Sequence, residues 1–144
     1  MTHIDWVDWH CYGPLYPQDL PREAAATHIG LFFAWAASRG LASERHARDH
    51  ADGFARLLKR ERSPASYVLT ELGGKLESED FGEAIQPFLR DYYTAHDQRP
   101  VYYNDTENLA EALGLNFTYR IPDDWEAFDR LALVIDQRFA ERAS

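Results

Sequence analysis

Cys11 is the only cysteine in this chain, so no intramolecular disulfide can brace it. A reducing compartment is expected. No apolar run approaches the roughly 18 residues that a membrane span requires. No basic start followed by an apolar stretch marks a secretory leader. The reading is a cytoplasmic protein. Positive charge is scarce as well: 15 basic residues stand against 24 acidic ones, a net charge of −9. That balance argues against nucleic acid and against an anionic membrane as partners. A basic protein surface is the partner it favours.

Recognisable catalytic motifs are missing. Gly73-Gly74-Lys75 lacks the upstream glycine and the Ser/Thr of a phosphate loop. No Gly-x-Ser-x-Gly turn occurs. His46 and His50 stand one helical turn apart, but Ala47 occupies the place where a metalloprotease helix needs glutamate. The charged residues around that pair predict a solvated face. The sequence therefore predicts no cofactor, no bound metal and no catalytic residue.

What remains is a chain rich in apolar and aromatic residues, 45% and 14%, which excludes the composition of a disordered segment. Its 144 residues predict one domain, 1–144, able to bury roughly two-thirds of its unfolded surface. The expected class is mainly α: a single-domain bundle of about five to six helices, read from the 3.6-residue period. An extended aromatic N-terminal arm, 1–20, is expected to lie on that bundle. Pro14, Pro17 and Pro21 remove backbone donors and hold the link extended.

The strongest helix is predicted over 21–39. Pro21 fits its first position, Ala24, His28, Leu31, Phe32 and Trp35 follow its period, and Gly40 stops it. Alanines on its other faces predict a central helix. Further helices are expected over about 44–61, 64–72, 79–95 (with Pro87 kinking it), from Asn104 or Asp105 to Gly114, and from Asp123 to the C-terminus. Val101–Tyr103 and Phe117–Ile121 are the candidates for a small two-stranded element.

Two sets of residues are candidates for function. Asp5, Asp8, Trp9 and His10 of the arm, with His28 and Trp35 of the first helix, could meet as a pocket of imidazoles, carboxylates and indoles. In an extended arm Asp8 and His10 share a side and Asp5 faces the other. The plainer role of these groups is to pin the arm by hydrogen bonds. The acidic residues Glu79, Asp80 and Glu83, with Asp123 and Asp124, form the second set. They are either helix-start charges, which the dipole explains, or a face that docks a basic protein. Tyr92, Tyr93, Tyr102 and Tyr103 offer an aromatic surface for a homodimer.

Trp9-His10, Pro17-x-Asp19-Leu20-Pro21, Ala26-Thr27-His28-Ile29-Gly30, Ala34-Trp35 and the tail Asp124-Trp125-Glu126-x-Phe128-Asp129-Arg130-Leu131 carry a resemblance. In them the chain resembles a small bacterial family of unknown function. Cys11-Tyr12-Gly13 replaces the double glycine expected after Trp-His. The resemblance implies a stand-alone cytoplasmic protein and, for some members, an immunity protein against a delivered toxin. The leading expectation is accordingly a non-catalytic inhibitor that masks a basic toxin domain. The competing expectation is a small-ligand binder or enzyme that uses the His/Trp/Asp pocket.

Overall fold

The computed structural model describes residues 3–94 and 100–143. It is mainly helical, with one two-stranded antiparallel sheet. Strand β1 (His3–Trp6) pairs with β2 (Lys75–Glu77), Asp5 opposite Leu76 and Trp6 opposite Lys75. The register shifts between His3 and Asp5. A regular strand would send alternate side chains to opposite faces. The irregularity instead turns the neighbours Ile4 and Asp5 both inward. This is how a carboxylate at the start of the chain reaches the interior.

Helix α1 (Val7–Cys11) follows directly, anchored where the Val7 N–H donates to the Gly74 carbonyl at 2.9 Å. The expected extended arm is thus a strand and a short helix. The cause is the pairing with 75–77, for which that segment carries no clear periodicity. The helical turn also separates Asp8 from His10, since residues two apart on a helix point to nearly opposite sides. Asp8 turns to Arg22 (2.9 Å), and His10 turns to Asp5.

A 3-10 turn over Arg22–Ala26 leads into α2 (Thr27–Ser38), ended at Gly40 with φ +72°. Every residue from Thr27 to Ala37 is buried, so α2 is the central element. The expected 44–61 helix is interrupted at His50, giving α3 (Arg45–Asp49) and α4 (Ala51–Leu58). Helix α5 (Pro64–Glu71) has Ser63 as N-cap, its side chain accepting the Ser66 N–H. It crosses α2 at Gly30 so closely that a Cβ there would stand 2.4 Å from the Pro64 carbonyl oxygen.

Residues 78–93 form 3-10 turns, the short α6 (Gln86–Phe88) and a wide final turn to Tyr93, rather than one kinked helix. The end of that expected helix, at residue 95, lies outside the described residues. Helix α7 spans Val101–Ala112, so Val101–Tyr103 begins a helix and pairs with no strand. Phe117–Ile121 is likewise no strand: Thr118–Arg120 make a 3-10 turn. Pro100 precedes α7 with extended backbone, where its missing donor is harmless. Helix α8 (Trp125–Ala143) packs on α2 and α7. There the Trp35 indole donates to Asp136 at 2.7 Å. Among the described residues no helix is long and apolar enough to cross a membrane.

Candidate functional site

Asp5, buried by the strand irregularity, is the hub of a polar cluster. Its Oδ1 accepts the Trp6 N–H at 2.8 Å and lies 2.6 Å from His10 Nε2. Its Oδ2 accepts the Tyr93 hydroxyl at 2.6 Å and lies 3.5 Å from His28 Nε2. His10 Nδ1 contacts the Tyr119 hydroxyl at 2.6 Å. The two imidazoles meet edge to face, ring centres 4.5 Å apart. Tyr102 donates its hydroxyl to the His28 carbonyl, fixing α7 against α2. A cavity of about 150 Å³ opens onto this cluster, lined by Ile4, Asp5, His10, His28, Tyr93, Pro100, Tyr102 and Tyr103.

Burial raises the Asp5 pKa, but the hydrogen bonds and charge of His10 and His28 outweigh it and hold the carboxyl well below its usual range. Asp5 is therefore a carboxylate. Burial pushes His28 the other way for its type, below the ordinary histidine value, and Asp5 only partly opposes this. His28 is 3% exposed; its Nδ1 has no hydrogen-bond partner, and its Nε2 has only the long 3.5 Å contact with Asp5. A buried imidazole so sparsely partnered is unusual, because unpaired polar groups in the interior are costly.

A second cluster shows what a satisfied version looks like. His46, fully buried, contacts the Tyr67 hydroxyl through Nδ1 (2.8 Å) and Asp80 through Nε2 (3.0 Å). Asp80 also accepts Arg45 at 2.7 Å and the Glu77 N–H at 2.8 Å. Both ring nitrogens and the carboxylate are spent on the protein. The expected solvated face for His46 is thus corrected: α3 is short and turns this one side chain into the core beside Phe33 and Phe54.

The first set of candidates divides. Asp5, His10 and His28 come together. Trp35 does not join them; it is buried against Phe88 and Phe139, with its N–H on Asp136. Trp9 is 52% exposed and edges against Trp6, and Asp8 pairs with Arg22. The acidic set does not form one face. Asp80 is 1% exposed. Asp123 accepts the Ala65 N–H at the start of α5, and Asp124 caps α8 through the Ala127 N–H at 2.8 Å. Glu79 accepts the neighbouring Ser78 hydroxyl, and Glu83 is exposed. The proposed dimer surface is corrected too, since Tyr92, Tyr93 and Tyr102 are core residues. The tyrosines of the site were not foreseen. A buried Asp–His pair needs further donors, and tyrosines on other segments were the available ones.

Tyr119 also borders a wider depression of about 510 Å³, lined largely by apolar side chains such as Leu20, Leu69, Leu115 and Ile121. Two of its charged groups are already engaged, Arg120 with Asp19 and Asp123 with the α5 backbone. It offers little chemistry.

Fold and cluster together define a small helical domain built around a buried carboxylate–imidazole site. The chain belongs to the family DUF7832, a domain of unknown function, whose sequence profile matches residues 3–121. All the polar residues of the site lie inside that span, whereas the Trp125 motif of the tail lies beyond it. Neither a curated protein nor a solved structure matches the chain.

Proposed function

We propose that this domain binds a small cationic or hydrogen-bond-donating group in the cavity at Asp5, His10 and His28. One observation carries the reading. Among the described residues three aspartates are buried, Asp5, Asp80 and Asp105. Asp80 holds Arg45, and Asp105 holds Arg138 in a two-point contact at 3.0 and 3.1 Å. Among the described residues no arginine or lysine reaches Asp5; its partners there are imidazoles, a tyrosine hydroxyl and a backbone N–H. A buried charge without a permanent counter-charge is expensive. The cavity beside it gives a ligand room to supply one.

A volume near 150 Å³ suits a group of benzene size, about six heavy atoms. His28, kept neutral by burial and held only by a long contact to Asp5, can accept a hydrogen bond or a proton from such a group. The site is therefore furnished for proton transfer as well as for binding. The test is a titration with methylammonium, guanidinium and imidazole, followed by ligand-observed NMR and by thermal shift. Saturable binding of at least one probe is expected, lost in an Asp5→Asn variant that keeps its helical circular dichroism. No binding by any probe, or equal binding by the variant, would defeat the reading.

A further inference from the structure

We infer that Asp5, His10 and His28 form a site for one divalent first-row transition-metal ion of the zinc class. The inference rests on the cavity reading above and names its occupant. One donor atom from each of the three residues lies within 4.8 Å of the other two. Metal–nitrogen and metal–oxygen bonds of about 2.0–2.2 Å put tetrahedral ligand atoms about 3.3 Å apart, a spacing these side chains reach with small adjustments. Two imidazoles and one carboxylate are borderline donors. They suit zinc, iron, cobalt or nickel better than calcium or magnesium, which take oxygen almost exclusively.

The comparison of the two buried histidines separates a ligand from a structural anchor. His46 spends both ring nitrogens on Tyr67 and Asp80. His28, nearly as deep, leaves Nδ1 unpaired and gives Nε2 only a 3.5 Å contact with Asp5. It faces a cavity that leaves a fourth coordination position open. The surroundings are those a metal-bound imidazole needs. In the metal-bound form His10 would donate from Nδ1–H to the Tyr119 oxygen, which frees for the ion the Nε2 that otherwise hydrogen-bonds Asp5. Tyr93 and the Trp6 N–H hold the carboxylate from behind. On binding, the ion takes the place of the proton shared between Asp5 and His10, and that proton leaves to solvent.

The experiment is isothermal titration of the EDTA-treated full chain with Zn²⁺, together with visible spectra of the Co²⁺ form, whose d–d bands report coordination number. One ion per chain is expected. His10→Gln and His28→Gln should each weaken it by more than about 100-fold, beyond the roughly 10–100-fold expected for the outer partner in Tyr119→Phe. His50→Gln, which changes a histidine outside the cavity, should leave it unchanged. Circular dichroism checks each fold; if His28→Gln does not fold, His10→Gln and Tyr119→Phe decide. Absence of heat and of d–d bands overturns the inference, as does undiminished binding in a folded His10→Gln. Should Zn²⁺ and Co²⁺ fail while an organic cation still binds wild type and not Asp5→Asn, the metal falls and the cavity reading stands. Should every probe fail, both fall.

Discussion

At the scale of single residues, the cost of a buried charge depends on who neutralises it. Asp105 is buried and relies on Arg138 and the Tyr92 hydroxyl. Arg138→Ala should destabilise the fold by about 2 kcal/mol or more, because the carboxylate stays behind with one donor. Arg39→Ala removes an exposed partner of Asp136 and should cost under about 1 kcal/mol. Urea unfolding of both variants checks the ordering; equal losses would contradict it. The metal-free chain should also lose stability in two steps as pH falls. Burial holds the folded His28 pKa below its ordinary value, so the unfolded chain takes that proton first. The His28 contribution is full above about pH 6.5 and is lost as pH drops through the folded value. For Asp5 and Asp80, burial raises the pKa, but the facing histidines, with Arg45 at Asp80, lower it further. Their contribution is full above about pH 4 and fails only below it. Urea midpoints between pH 7.5 and 5 should decline in wild type and flatten in His28→Gln. Parallel slopes would show that His28 is not the group responsible.

At the scale of elements, the α2–α5 crossing is the tightest join. Gly30→Ala places a methyl within 2.4 Å of the Pro64 oxygen and 2.8 Å of the Ala65 nitrogen, both backbone atoms that cannot rotate away. A loss of about 1–3 kcal/mol, or more, is expected in thermal or urea unfolding. One acidic residue nominated for docking belongs to this scale as well. Asp124→Ala should cost about 1 kcal/mol as a lost α8 cap. A neutral result would return it to the surface.

The elements also show what was legible beforehand. Helix α2 announced itself through its buried stripe and Gly40, and its alanine faces indicated a central position, but the start expected at Pro21 falls on a 3-10 turn and the α-helix begins at Thr27. Asp5, His10 and His28 could be named because polar residues were conspicuous among aromatics. The rest depended on distant partners. Nothing local in Lys75–Glu77 reveals that it will pair with β1, and without that pairing 3–20 reads as an arm. Val101–Tyr103 has strand-forming side chains, yet it starts a helix because its tyrosine fills the space beside His28 and Tyr93. Charged neighbours hid the burial of His46, which the packing of α3 on Phe33 imposes. The break of 79–93 into turns follows from Asp80, whose carboxylate is drawn to Arg45 and His46.

At the scale of the whole molecule, protection should be graded around α2. Its backbone is enclosed on all sides, whereas α1 is a five-residue helix in which only Val7 is buried. Native-state hydrogen exchange should find α2 amides opening only with global unfolding, and α1 amides opening at lower free energy. Identical exchange in the two would mean that the edge is as firmly held as the centre.

Asp5 meets Tyr93 across 88 positions of sequence, and His10 meets Tyr119 across 109. No fragment short of nearly the whole family domain brings these groups face to face. An occupant of the cavity would thus fasten the chain's first turns to its last third, and nascent or nicked copies would hold none.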